Sequence, residues 1–157
     1  LTKDELAAAL RHPNIAAFLR AIRLGEGTSD EDGYRRIVGG ELFSAPPWRH
    51  PEKRVWIPRY HLYSTAAGAY QMLSRTWAEM AVEYDLSDFS PQSQDLAAVG
   101  LIVRRGALDD LISGDVGEAI RKCKYEWASL PGAPYGQRTE SMANVLIEYL
   151  SWGGELA

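Results

Sequence analysis

Glu26 lies between two glycines in Leu24-Gly-Glu-Gly-Thr28, directly after a stretch whose apolar residues recur with a helical period. The C-terminal end of a helix carries partial negative charge, which disfavours a carboxylate anion beside it. A glutamate held there and shielded from water has a raised pKa and keeps its proton near neutral pH. That is the state a general acid needs when it protonates the leaving oxygen of a glycosidic bond. The flanking glycines would let a bulky substrate approach the backbone. A solvent-exposed glutamate in a turn would show the same residues, so both readings stand at this point.

Two further segments could shape a site around it. The run from Ser64 to Tyr70 and Gln71 is made mostly of small residues, which keep one wall of a cleft low. The Gln71 amide can donate and accept together, as an N-acetyl group requires. Tight packing between a helix and a loop would call for the same small residues. The loop Ala128-Ser-Leu-Pro-Gly-Ala-Pro-Tyr135-Gly-Gln137 is shaped by its prolines and glycines, and Tyr135 could stack on a sugar face. The alternative is a plain surface connection between helices.

Other chemistries find less support. His12, His50 and His61 are far apart and lack metal-ligand spacing, and the single Cys123 excludes a multi-cysteine zinc site or an internal disulfide. No metal and no cofactor is therefore expected. Cys123 shares a helix face with Ile120 and Trp127 and reads as core. There is no P-loop or dinucleotide fingerprint. Asp30, Glu31 and Asp32 form an acidic turn that is either solvated or the source of a second carboxylate.

The elements that must position these residues are those of one domain over residues 1–157. Its 46% hydrophobic and 24% charged residues are ordinary for a soluble globular protein of that length. Such a chain buries a core without help from metals or disulfides. The net charge is −4, and the basic residues come as scattered pairs, Arg35–Arg36, Lys53–Arg54 and Arg104–Arg105. That is not the basic footprint of a nucleic-acid binder. The longest apolar run, 97–103, is far short of the roughly 20 residues that span a bilayer.

Ile15, Phe18, Leu19 and Ile22 predict a helix that begins near Pro13 and stops at Gly25 and Gly27. Trp77, Met80, Ala81 and Tyr84 predict a second over 74–84. A third starts at Ser90-Pro91, buries Leu96, Val99, Leu101 and Ile102, and ends before Gly106. Shorter helices follow over 107–112 and 116–127, and a last one over 139–152 ends at Gly153-Gly154. Between the first and second, residues 27–63 carry turn residues, aromatics and short β-branched runs without helical period, as a small sheet with long loops does. The picture is a helical body with a β and loop insertion after the first helix.

The segments also occur in a recognisable order. Gly25-Glu-Gly-Thr28, Gly33-Tyr34, Ile37-Val-Gly-Gly-Glu-Leu-Phe43 and His50-Pro51 come first. Ser64-Thr65 through Gly68 to Tyr70-Gln71, Leu73-Ser-Arg75, Asp88-Phe-Ser-Pro91 and Ser93-Gln-Asp95 follow. Arg105-Gly-Ala-Leu108 and Trp127-Ala-Ser-Leu-Pro-Gly-Ala133, with Tyr135-Gly-Gln137, complete the series. Together they cover about residues 25 to 137, and the chain thereby resembles the lambda-type endolysins, single-domain lytic transglycosylases. Two places depart from the family pattern: the stretch between Thr28 and Gly33 is shorter, and Ala69 stands where the family has an arginine.

The resemblance implies an α+β, lysozyme-like fold with Glu26 as the catalytic acid. It implies a substrate-binding cleft that includes Ser64, Tyr70, Gln71, Tyr135 and Gln137. The implied partner is the peptidoglycan glycan strand, cut at the β-1,4 bond between N-acetylmuramic acid and N-acetylglucosamine to leave a 1,6-anhydro sugar. A hydrolytic muramidase with Asp30 or Glu41 as the second acid is the alternative, and a non-catalytic wall-binding module is a more distant one. Leu1 to Leu6 show no basic segment followed by an apolar core. The expectation is therefore a monomer made in the host cytoplasm, acting on the wall after a separate holin-type protein opens the membrane.

Overall fold

The computed structural model describes all residues, Leu1–Ala157. Seven helices and one hairpin follow in the order α1 (Lys3–Leu10), α2 (Pro13–Glu26), β1 (Val55–Ile57), β2 (Leu62–Ser64), α3 (Ser74–Tyr84), α4 (Pro91–Arg104), α5 (Leu108–Ile112), α6 (Val116–Cys123) and α7 (Met142–Ser151). None of the helices is long and apolar enough to cross a membrane.

The body is built around α4, which is buried on every side from Leu96 to Ile102. A helix apolar all round belongs in a core, not at a surface. Gly100 is what allows α3 to approach it: a Cβ there would lie 2.6 Å from the Tyr84 ring and 3.2 Å from the Met80 sulfur. The helix that carries Glu26, α2, buries Ile15, Phe18, Leu19 and Ile22 as its period requires and packs along α7. His12 caps its start, its Nδ1 accepting the Asn14 N–H at 3.1 Å, and Pro13 occupies the first turn.

Three boundaries differ from the sequence reading. α1 was not foreseen, because Leu6 is its only buried residue and no apolar stripe announces it. Its sign is the Thr2–Glu5 capping box, in which the Thr2 side chain accepts the Glu5 N–H and the Glu5 carboxylate accepts the Thr2 N–H. The insertion consequently follows the second helix of the chain. α6 stops at Cys123, and Trp127 is buried from a turn beyond it. α7 starts at Met142, where Ser141 caps it by accepting the Asn144 N–H.

Within the insertion the sheet is a single antiparallel hairpin, with Val55 opposite Ser64, Trp56 opposite Tyr63 and Ile57 opposite Leu62. Isolated bridges, Arg36 with Leu42, Ile37 with Ala67, and Ala67 with Met72, join the preceding turns to the segment before α3. A second, smaller core of Ile37, Phe43, Ala67 and Phe89 sits beneath them, closed by Trp48 and Trp77. His50 is buried beside Phe89, its Nε2 donating to the Met72 carbonyl at 2.9 Å while Nδ1 accepts the Glu52 N–H. Burial lowers its pKa and keeps it neutral.

Candidate active site

A cleft of about 580 Å³ runs between the hairpin, the end of α2 and the loop that precedes α7. Glu26, Ser64, Tyr70, Gln71, Tyr135 and Gln137 all line it, although 111 positions separate the first from the last. The hairpin adds Ile57, Tyr60 and Leu62, and the far end is formed by Arg104, Arg105, Tyr125 and Glu126.

Glu26 is the last residue of α2 rather than the first after it, and Gly27 ends the helix in the left-handed region at φ 72°. The side chain keeps a partial opening to the cleft, yet enough protein surrounds the carboxyl that burial pushes its pKa up to about 7. Ser129 acts in the opposite sense, as a hydroxyl beside the carboxylate must. The contact is loose: the Ser129 Oγ is buried and has no partner at ordinary hydrogen-bond geometry. Gly25 explains how the hydroxyl comes so near. A Cβ on Gly25 would lie 2.5 Å from the Ser129 Oγ, so this glycine makes room for the loop and not for a substrate. The loop is held in turn by the Glu140 N–H, donated to the Ser129 carbonyl at 2.7 Å, while the Glu140 carboxylate pairs with Arg138.

Behind Glu26 a buried polar network fixes the wall that contains Tyr70 and Gln71. Thr28 donates its hydroxyl to the Ala69 carbonyl, and Gln94 of α4 accepts the Ala69 N–H at 2.9 Å. The Tyr70 and Tyr34 phenols both donate to Asp95, at 2.6 and 2.9 Å, and the Trp127 indole donates to the Tyr70 carbonyl. Burial, reinforced by the Asp95 charge, pushes Tyr34 up to about 12 and Tyr70 well above its ordinary value. The Tyr70 phenol therefore points into the core, and the residue meets the cleft by its remaining surface. Arg23, one turn before Glu26, lies 4.7 Å over the Tyr34 ring and donates to the carbonyls of Thr28 and Asp30.

Gln71 is held at φ 47°, where a residue with a side chain is costly by roughly 1–2 kcal/mol. Its amide nitrogen donates to the carbonyls of Arg36 and Gly68, at 3.0 and 2.9 Å, which leaves the Oε1 to accept from a bound molecule. Ser64 closes β2 and accepts the Ala66 N–H. Tyr135 is exposed, its phenol donating to the Tyr125 carbonyl at 2.8 Å, and Gln137 is half-buried. Next to it, the Arg138 N–H donates to the Tyr60 hydroxyl at 3.1 Å and ties this loop to the hairpin across the cleft.

A family model described as Endolysin matches residues 16–156. The chain belongs to the endolysin family. The endolysin of Escherichia phage P2 is 41% identical over 156 residues, covering 91% of this chain and 94% of the relative. That of Escherichia phage lambda is 43% identical over 145 residues, covering 88% and 90%. The solved structure of bacteriophage lambda lysozyme complexed with a chitohexasaccharide superposes with a TM-score of 0.84 at 39% identity, covering 92% of this chain and 97% of the other. The fold is thus the lysozyme-like α+β fold, and the chain is a peptidoglycan-degrading lysis enzyme that acts on the cell wall.

Two features of this endolysin's cleft escaped the sequence reading. The first is Ser129, which stands in the segment from Trp127 to Ala133 but shows its bearing on Glu26 only when the loop folds back on α2. The second is the ion-pair cluster at the far end, where Arg104 and Arg105 both donate to one oxygen of Glu126 at 2.9 Å. Arg104–Arg105 was visible as a basic pair, but its partner lies 21 and 22 residues downstream. Asp30 and Glu41 are exposed, paired with Arg36 and Lys53, and are not among the residues that line the cleft. Cys123 is buried, and burial pushes its thiol up to about 12, which suits packing and not nucleophilic attack.

Proposed function

We propose that this endolysin is a lytic transglycosylase that cuts the β-1,4 bond between N-acetylmuramic acid and N-acetylglucosamine, with Glu26 as both acid and base. Protonated Glu26 donates to the glycosidic oxygen as its bond to C1 breaks, which releases the N-acetylglucosamine O4 as a hydroxyl. The Glu26 carboxylate then takes the proton of the muramoyl C6 hydroxyl, whose oxygen bonds to C1 and closes the 1,6-anhydro ring. A pKa of about 7 suits both halves, since the group holds its proton at rest and gives it up within a modest range. The Ser129 hydroxyl supports the second half by donating to the carboxylate once the proton has left. Gln71 supports binding by accepting from an acetamido N–H.

The observation that carries the reading is the supply of carboxylates. Those that line the cleft are Glu26 and Glu126, and Glu126 is committed to two arginines. Hydrolysis ordinarily uses a second free carboxylate, about 5–5.5 Å from the acid in retaining enzymes and about 6.5–9.5 Å in inverting ones. Ring closure by a neighbouring hydroxyl needs none and is effectively unimolecular. In the same proposal the enzyme is made in the host cytoplasm and reaches the wall through a lesion made by a holin-type protein.

Mass spectrometry of the released muropeptides tests the chemistry. Transglycosylation predicts products one water lighter than hydrolysis gives, with masses unchanged by borohydride. Fully reducible products would replace this reading with a muramidase.

A further inference from the structure

The hairpin has a second face that the cleft does not use. Val55, Ile57, Leu62 and Ser64 alternate inward, Val55 against the small core and the other three into the cleft. Trp56 and Tyr63, opposite each other in register, point the other way and are 44% and 57% exposed. Their rings are 5.0 Å apart, the Arg54 guanidinium lies 4.4 Å over Tyr63, and His61 meets the edge of Trp56 at 6.0 Å.

We propose that this outward face is a second glycan-binding surface, which holds a peptidoglycan strand outside the cleft by stacking its sugars on Trp56 and Tyr63 and pairing its stem-peptide carboxylates with Arg54. The proposal rests on peptidoglycan being the substrate. Charge identifies the ligand. Residues 49–59 hold Arg49, Lys53, Arg54 and Arg59 against one acid, Glu52, in a chain whose net charge is −4. Of these four cations only Lys53 has an acidic partner, Glu41, so Arg49, Arg54 and Arg59 are available to an anion. The peptides attached to muramic acid carry free carboxylates, while the sugar rings between them are neutral and present flat C–H faces. A paired aromatic surface with a guanidinium stacked at its edge matches both parts. Position supports the same ligand. The two strands that present this face also form a wall of the cleft, so the insoluble wall, with strands side by side, can occupy both faces of one hairpin.

The test separates holding the wall from cutting it. Co-sedimentation with purified cell walls is measured for Glu26→Gln, which binds without cutting, alone and combined with Trp56→Ala/Tyr63→Ala or with Arg54→Glu. The same hairpin substitutions in active enzyme are assayed on insoluble wall and on a soluble, uncross-linked glycan fragment. Each hairpin variant is expected to weaken sedimentation and wall lysis by about threefold to tenfold, with cleavage of the soluble fragment unchanged. Arg54→Glu leaves the aromatic pair in place, so it decides the matter if the double variant does not fold. Unchanged sedimentation of Arg54→Glu overturns the proposal, as does an equal loss on soluble and insoluble substrate, which would mark the face as scaffolding for the cleft. Failure of the peptidoglycan reading looks different: the parent enzyme would then leave walls intact.

Discussion

The two sides of the cleft are made differently. On the Glu26 side, the wall behind the carboxyl is held by a buried polar network: Thr28 to Ala69, Gln94 to Ala69, Asp95 to two phenols, Trp127 to Tyr70. The hairpin and the loop around Tyr135 are held by exposed contacts instead, Arg138 to Tyr60 between the two and Tyr135 to the Tyr125 carbonyl within the helical body. The contrast separates two demands. As the proposed acid, Glu26 must keep one environment, because its proton affinity is set by what surrounds it, whereas a sugar polymer must be admitted and released. A rigid wall meets the first demand and a shallowly packed one the second.

The contrast can be broken hardest at Glu26 itself. Glu26→Gln should lower wall lysis by about 10³-fold or more, read by the clearing of exposed cell walls. The same variant reports on the burial. The folded pKa of about 7 lies above the ordinary 4.5, so the native state holds the proton more tightly than the unfolded chain does. Native stability therefore falls as pH rises from about 4.5 to 7, and the neutral glutamine escapes that fall. Denaturant melts should show Glu26→Gln gaining about 1–3 kcal/mol on the parent between pH 4 and pH 8.

Asp95→Ala attacks the rigid wall from beneath. It strands two phenols, Tyr34 and Tyr70, at about 1–3 kcal/mol each, and should lower the urea midpoint markedly while touching nothing a substrate touches. A midpoint close to the parent's would mean that the network does not stiffen this side. Ser129→Ala removes the hydroxyl beside the acid. Because Ser129 lowers the Glu26 pKa, the basic limb of the pH–rate profile should move to higher pH, with kcat down by about tenfold. A lower melting temperature with an unmoved profile would reduce Ser129 to packing. Tyr135→Ala, on the compliant side, should raise KM severalfold and change stability by no more than about 0.5 kcal/mol.

The same division governs what could be read from the sequence. α3 and the buried face of α2 were legible, because apolar spacing reports burial directly and those helices obey it. α1 was not, since a helix with one buried residue leaves no stripe. At the site, the raised pKa of Glu26 was expected from local neighbours, a helix behind it and a glycine after it, whereas its cause in the structure is burial. The direction of the Tyr70 phenol was not, because its partner Asp95 belongs to another helix 25 residues on. Gly25 shows the limit most sharply. Its place beside the acid suggests room for a substrate, but the atom it makes room for belongs to Ser129, and only the folded chain brings the two together.

The meeting of Gly25 and Ser129 ties assembly of the cleft to the order in which the chain is made. A ribosome completes α2 and Glu26 early, but the segment that crowds the carboxyl emerges more than 100 residues later. The start of α2 waits even longer, for the Glu155 N–H that Asn14 accepts at 2.9 Å, and its flank waits for α7. A nascent chain that has not reached Ser129 lacks the segment that crowds the Glu26 carboxyl in the folded protein. The surroundings of Glu26 are therefore completed only after more than 100 further residues have been translated.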